Sequence, residues 1–363
     1  MKIIITVTND LSTDQRVNRI AKTLQSNGHK VILAGRYMKN SKILNPRNYS
    51  TKRFYLLFSR CVFFYAEYNL RLFLFLLFSR YDLSISCDLD TLPANYFASV
   101  LRRKKLIYDC HELFTEVPEL LDRNFTKSIW LKIERIILPH VKFSCTVSSS
   151  IAEYYRSKYG ISMKVIRNLP YYSPVRPEIK NKLNYDGKKI IIYQGSVNTG
   201  RGVDLIIKSM QFISNAVFVV IGDGDVLKEM QSLVVELNLG NKVIFKGRLP
   251  FEELPQYTVQ ADIGLVLEEN RGLSYYYSLS NKLFDYIQAR VPVLGSPFPE
   301  IKGIIERYGI GQTIANHEIS EIKNKIEFML DNIELRKTWK QNLGVAAREL
   351  CWENEEKILY QLL

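Results

Sequence analysis

Ser280, Asn281, Lys282 and Asp285 stand close together where the stretch YSLSNKLFDYIQARVPVLGS (277–296) reads as a helix entering from a loop. With Ser280 as N-cap, the N–H groups of residues 281, 282 and 283 have no partner inside the helix. A capping box would place Glu or Gln at position 283, and Leu283 stands there instead. Backbone donors, the positive helix end and the Lys282 ammonium together suit a diphosphate. Asp285, one turn on, can accept hydrogen bonds from two adjacent ribose hydroxyls. An acid so placed would equally complement the helix dipole, and spacing alone does not separate the two.

Three other stretches carry residues of the same kind. In IYQGSVNTGRG (192–202) a strand runs into a turn whose Gly195, Gly200 and Gly202 let the backbone pass close to a ligand. Arg201, at the next helix entrance, can clamp a phosphate through its forked donors or simply be solvated. Gly222-Asp223-Gly224 ends the strand in VVIGDGD, as a tight turn or as a ligand contact. Gly247-Arg248-Leu249 forms a loop that could hold a flat base through backbone groups. In the first half, His111 follows the strand IYDC and can hydrogen-bond a sugar hydroxyl or stabilise charge. Asp88 and Asp90 in CDLDTLP have the spacing to hold a divalent metal with a diphosphate, or to cap a helix.

The elements that position these residues alternate strand with helix. KIIITVT, KVILAGR, YDLSISC, KLIYDC and FSCTVS are strands of the first half. Between the first two, Val17, Ile20, Ala21 and Leu24 form the apolar face of a helix that Gly28 ends. Residues 168–187, rich in proline and without periodicity, read as a linker. Alternation resumes with KIIIYQGS, AVFVVIGDG, KVIFKG and ADIGLVL. The expected architecture is α/β, with two Rossmann-like doubly wound parallel sheets and a ligand cleft between them.

Several classes of activity lack their signatures. NDLSTDQ follows the first strand where a nicotinamide-binding domain would carry G-x-G-x-x-G. GSVNTGRG has Arg201-Gly202 where a Walker loop needs Lys-Ser/Thr, and no G-x-S-x-G occurs. Five cysteines and four histidines are scattered, with no C-x-x-C pair and no metal-ligand spacing. Reduced cysteines and a strand-like start without an apolar leader lead us to expect a cytoplasmic protein.

The net charge of +13 is one-sided. Residues 1–182 hold 30 Lys+Arg against 14 Asp+Glu, and the remainder 20 against 23. Such a field suits an anionic lipid surface, a phosphorylated substrate or nucleic acid, although no nucleic-acid module is recognisable. Residues 54–80, FYLLFSRCVFFYAEYNLRLFLFLLFSR, are aromatic and apolar but interrupted by Arg60, Glu67 and Arg71. They are too broken to span a bilayer, and read either as a buried helix pair or as a surface lying on a membrane.

Taken together these stretches resemble the glycosyltransferases of the GT-B fold, close to family 4 of the retaining enzymes. IYQGSVNTGRGVDLIIKSM, VFVVIGDGD, VIFKGRLPFEELPQYTVQADIGLVL and LSNKLFDYIQARVPVLGS follow one another in the family's order, and DLSTDQRVNRIAKTLQSNGHKV and YDCHELFTE add to it. The resemblance implies an acceptor-binding domain over residues 1–167, with 345–363 packing back on it. It implies a nucleotide-sugar-binding domain over 188–344. It also implies a donor site drawn from Gly195, Ser196, Arg201, Gly222, Arg248, Leu249, Ser278, Leu279, Ser280, Asn281, Lys282 and Asp285. Asp285 matches the ribose-binding second acid of the family's E-x7-E motif, Arg201 its diphosphate-binding Lys, and His111 the histidine near the donor sugar. Tyr277 stands where the first acid belongs and Ser196 where a second cation does, so Lys282 must supply the missing charge or diphosphate binding is weakened. With His111, Arg201 and Lys282 as catalytic groups, the expected activity is sugar transfer from a nucleoside diphosphate sugar to a saccharide or lipid-linked hydroxyl, with retention and without a metal or other cofactor. The expected setting is cell-surface polysaccharide or glycoconjugate synthesis at the inner face of the plasma membrane. A sugar-nucleotide epimerase of the same fold, or a non-catalytic binding protein on a decayed scaffold, are the alternatives.

Overall fold

The computed structural model describes residues 1–363 apart from 42, 175–177 and 181, so part of the stretch read as a linker lies outside the described residues. The chain forms two compact units, Met1–Asn168 with Glu355–Leu363, and Leu169–Asn354.

The first unit holds β1 (Lys2–Thr6), β2 (Lys30–Arg36), β3 (Ser50–Phe54), β4 (Leu83–Cys87), β5 (Lys105–Cys110), β6 (Phe143–Thr146) and β7 (Lys164–Val165). They lie parallel in the order β3-β2-β1-β4-β5-β6-β7. The central strands read as continuous apolar runs because helices cover both faces of a parallel sheet. The edge strands escaped the sequence reading: β3 is STKRF with only Phe54 buried, and β7 is two residues long. Helix Gln15–Ser26 starts where Asp14 accepts the N–H of Val17 at 3.0 Å, and it buries Val17, Ile20, Ala21 and Leu24 as expected. It also buries Arg16 and Arg19, which the apolar period did not foretell.

Residues 54–80 do not form a buried helix pair. They hold the end of β3, a loop and one helix, Cys61–Phe78, which buries Phe64, Tyr68, Leu72 and Leu76 along one face. No helix among the described residues is long and apolar enough to cross a membrane.

The second unit holds β8 (Lys189–Gln194), β9 (Ala216–Ile221), β10 (Val243–Gly247), β11 (Ile263–Val266), β12 (Val293–Gly295) and β13 (Gly311–Thr313), parallel in the order β10-β9-β8-β11-β12-β13. Alternate residues face opposite layers. Ile190, Ile192, Val217 and Val219 join one core with helices Asn281–Ala289, Pro299–Tyr308 and Ile333–Glu349. Ile191, Tyr193, Phe218 and Val220 join the other with helices Val203–Ser209, Leu227–Glu236 and Ile319–Asp331.

The last residues return to the first unit. Glu355 accepts the backbone N–H of Arg167 at 2.7 Å and its Nε at 2.9 Å, Thr23 donates to Glu356 at 2.8 Å, and Lys105 donates to the Leu363 carbonyl at 2.7 Å. The return begins at Glu355 rather than at residue 345, because Leu343, Ala346, Ala347 and Leu350 are buried in the second unit's core.

In each sheet the strand order reverses once, between β1 and β4 and between β8 and β11. Loops leaving the carboxyl ends of such a strand pair diverge to opposite faces and open a crevice.

Candidate active site

The crevice of the second unit is lined by glycine because three strand ends crowd there. The N–H of Gly195 donates to Ile221 and that of Gly222 to Gly247, each at 2.9 Å. A Cβ on Gly222 would lie 1.8 Å from the Gly195 carbonyl oxygen, so only glycine fits. Gly202 has φ +74°, and a Cβ there would lie 2.2 Å from the Leu267 carbonyl oxygen. The turn 195–202 is thereby pressed onto the end of β11, and Arg201 is delivered beside Glu268.

Glu268, two residues beyond β11, is the hub of the site. It is fully buried. Its Oε1 accepts from Lys282 Nζ at 2.6 Å and from Ser280 Oγ at 2.9 Å, and lies 3.6 Å from Arg201 Nη1. Burial alone would raise this carboxyl, but the Lys282 ammonium and the Arg201 guanidinium outweigh it and hold the group below the usual carboxylate range. Ser296 Oγ donates to the Glu268 carbonyl at 2.6 Å and His317 Nε2 lies 2.9 Å from the same oxygen, fixing the backbone. Aromatic faces set the two cations: Lys282 Nζ is 5.0 Å from the Tyr193 ring centre, and the Arg201 guanidinium carbon 4.6 Å from that of Tyr275. Glu268 Oε2 and Arg201 Nε are buried without a hydrogen-bond partner among the described residues.

The helix Asn281–Ala289 begins at Ser280 as expected, but the Ser280 side chain makes no cap bond, since it is turned to Glu268. One of the three donors expected to be free is used: the N–H of Leu283 bonds the Ser280 carbonyl at 3.1 Å. Asp285 is half-buried and its Oδ2 accepts from Gln194 Nε2 at 2.9 Å; the Gln194 side-chain Oε1 in turn accepts from Thr258 Oγ1 at 2.6 Å. Asp285 is thus oriented by the end of β8 as well as by its own helix.

Of the remaining residues, Ser196, Arg248 and Asn281 are exposed. Leu249 and Leu279 pack against the core, and Ser278 Oγ bonds the Tyr275 carbonyl at 2.8 Å. Tyr277, half-buried, stacks obliquely on Tyr276 with ring centres 5.3 Å apart. Arg201, Ser280 and Lys282 therefore converge on Glu268, with Gly195 beside the Lys282 stem, while Arg248 and Leu249 belong to the end of β10. Sequence reading missed Glu268 and Gln194; their signal was position, the first polar residues at the carboxyl ends of the two strands flanking the reversal.

In the first unit His111 is not a free base. Its Nε2 lies 2.9 Å from Asp109 and its Nδ1 3.4 Å from Asp88, and these two acids outweigh its burial and hold the imidazole well above its ordinary value. Asp109 also takes both ends of the Arg16 guanidinium, at 2.5 and 3.1 Å. Cys87, Asp109 and His111 bring three ligand-type atoms within 4.8 Å of one another. They fit a metal poorly: both histidine nitrogens face carboxylates, Asp109 is spent on Arg16, and burial pushes the Cys87 thiol up to about 12. Asp90 caps no helix; its Oδ2 accepts from Thr8 at 2.6 Å and its Oδ1 is buried without a partner. Burial and the neighbouring Asp88 raise Asp90 to about 7.

Residues 175–343 match the family model for glycosyl transferases group 1, and residues 14–169 that for glycosyltransferase family 4. The chain belongs to the family 4-like glycosyltransferases. This glycosyltransferase is 25% identical over 239 residues, 61% of its length and 66% of the relative's, to an uncharacterized glycosyltransferase of Methanocaldococcus jannaschii. It is 22% identical over 171 residues to alpha-D-kanosaminyltransferase of Streptomyces kanamyceticus, covering 46% of this chain and 43% of that one. The matched stretches thus span about two thirds of one relative and under half of the other. Sucrose-phosphate synthase of Thermosynechococcus elongatus superposes with a TM-score of 0.82 at 17% identity, covering 100% of this chain and 98% of that one. HepE of Anabaena, solved with UDP-glucose, gives 0.76 at 15% identity, covering 99% and 100%. At these identities the likeness is one of fold, the two-domain GT-B architecture.

Proposed function

We propose that this glycosyltransferase moves a sugar from a nucleoside diphosphate sugar to the hydroxyl of a saccharide or lipid-linked acceptor, with retention of configuration. The observation that carries the reading is the pairing of Lys282 and Arg201 around one buried carboxylate at the strand reversal, with close-packed glycines beside them. Two cations held side by side suit a diphosphate, and Asp285, oriented by Gln194, suits the ribose. The Anabaena relative named above, solved with UDP-glucose, is consistent with such a donor.

In the reaction the acceptor oxygen bonds to the anomeric carbon on the face from which the diphosphate leaves. The bond from that carbon to the diphosphate oxygen breaks, and the leaving phosphate takes the acceptor's proton. The protein supplies no nucleophile and needs no metal in this route; Arg201 and Lys282 stabilise the charge that develops on the leaving group. Asp88 and Asp109 beside His111 favour its charged form, so the role we assign it is that of a positive charge in the first unit rather than a proton acceptor. The one-sided basic charge and the absence of a spanning helix among the described residues fit work on a glycan or lipid-linked saccharide at the inner face of the plasma membrane, in cell-surface polysaccharide or glycoconjugate synthesis.

The test is turnover with a panel of nucleotide sugars, read as nucleoside diphosphate release. Arg201→Ala and Lys282→Ala should each lower kcat by about 10²–10³, and chelator should leave it unchanged. Full activity in either variant, or loss of activity with chelator, would contradict the reading. Isomerised donor without diphosphate release would identify an epimerase.

A further inference from the structure

The helix Cys61–Phe78 is apolar on two opposite sides. The buried side, already described, packs into a core with Phe54, Tyr81 and Ala98. On the other side Phe63, Leu70, Leu74 and Phe78 recur at nearly the same period and face solvent, Phe63 at 66% and Phe78 at 81% exposure. Just before the helix, Leu57 is 83% exposed, and the Phe58 ring lies 5.4 Å from that of Phe63. Helix Leu92–Arg102 packs alongside and adds Phe97, Val100 and Leu101, each more than half exposed. Scattered exposed apolar residues need no explanation, but large side chains lined along one helix and continued on its neighbour do.

We propose that this face seats the first unit on an anionic membrane surface, with the helix lying in the plane of the headgroups. Charge selects the occupant. Residues 51–80 carry Lys52, Arg53, Arg60, Arg71 and Arg80 against one acid, Glu67. That acid is already used: it pairs with Arg71 at 2.8 Å and accepts the N–H groups of Leu57 and Phe58, which pins the apolar loop beside the start of the stripe. The neighbouring helix ends at Arg102 and is followed by Arg103 and Lys104, with no acid among them. Arg102 donates to the carbonyls of Leu76 and Ser79 and so ties the two helix ends together. An apolar band with cations along its rim matches a lipid surface, where the side chains enter the acyl boundary and the cations meet phosphates. A second copy of the same face would set Arg60, Arg80 and Arg103 against their own likenesses with no acid to answer them. The stripe from Phe63 to Phe78 is about 22 Å long at 1.5 Å per residue, enough to lie on a bilayer while its other side stays in the core.

This surface specifies the membrane contact in the function proposed above and rests on that part of it, yet it is tested without turnover. The full chain is co-sedimented with vesicles of phosphatidylcholine alone and of phosphatidylcholine mixed with phosphatidylglycerol, at low and high salt. Binding is expected only to the mixed vesicles and should weaken with salt. The pair Leu74→Glu and Phe78→Glu, both on solvent-facing positions, should reduce binding at least about tenfold, with an unchanged Tm and an unchanged thermal shift by nucleoside diphosphate. Arg80→Glu with Arg103→Glu should do the same through charge alone. No binding to the mixed vesicles, or binding that both double variants retain, would overturn the proposal. So would a wild-type dimer in light scattering that Leu74→Glu with Phe78→Glu dissociates, since the face would then join two copies. Loss of vesicle binding with intact diphosphate release would leave the sugar-transfer reading standing.

Discussion

Replacing Glu268 tests whether one buried carboxylate holds the two cations of the donor site. Its Oε1 is shared by Lys282 Nζ at 2.6 Å and Ser280 Oγ at 2.9 Å, with Arg201 at 3.6 Å. Removing one partner of a buried ion pair costs about 3–5 kcal/mol, mostly because the other charge stays buried and unanswered. Lys282 is 8% exposed and cannot escape, whereas Arg201, at 27%, can turn toward water. The lower end, about 3 kcal/mol, is therefore expected for Glu268→Ala. Glu268→Gln keeps an oxygen for Lys282 and Ser280, and about 2 kcal/mol is expected. For a unit of this size that lowers Tm by roughly 4–8 °C. A nucleoside diphosphate brings back the lost negative charge and binds only the folded site, so it should raise Tm more in the Gln variant than in the wild type. The assay is thermal unfolding with and without UDP, GDP and ADP. A Gln variant with the wild-type Tm would refute the hub, and an equal or smaller ligand shift would refute its link to diphosphate binding.

Two further outcomes follow from buried groups. Asp90 titrates in the folded protein near 7, above the ordinary carboxylate value of 3.8, so its ionised form is penalised by folding. The penalty is absent below about pH 4, grows as pH rises toward 7 and reaches on the order of 4 kcal/mol at most above it. Asp90→Asn should accordingly raise Tm at pH 8 and leave it nearly unchanged at pH 4; equal effects at both pH values would show that charge burial is not the cause. Gly222→Ala sets a Cβ 1.8 Å from the Gly195 oxygen and must displace a strand end, so soluble yield or Tm should fall sharply, and a wild-type Tm would contradict the close packing.

What the sequence shows and hides divides along physical lines. Asp285, Lys282 and Ser280 were legible as a group because one helix start carries all three. Arg201 was legible because glycines bracket it. Glu268 was not, since it sits 14 residues before Lys282 beside a second acid, Glu269, and nothing local says which of the two turns inward. The sheet settles it: Glu268 follows β11 into the site, while Glu269 pairs with Arg271 at 3.6 Å. His111 was legible as a residue but its raised basicity was not, because that comes from Asp109, two residues back on β5, and from Asp88 beyond β4. The central strands were plain from their apolar runs, whereas β3 and β7, short and at or near the sheet's edge, had too little to bury to leave a pattern.

The return of Glu355–Leu363 to the first unit has a consequence for how the chain is made. Arg167, Thr23 and Lys105 find their partners in Glu355, Glu356 and Leu363, which are synthesised only after the whole second unit. The first unit can assemble its sheet early, but it stays unsealed along that seam until Glu355–Leu363 has been made. Synthesis order and completion order are therefore reversed, and the second unit, contiguous from Leu169 to Asn354, can finish before the one that precedes it.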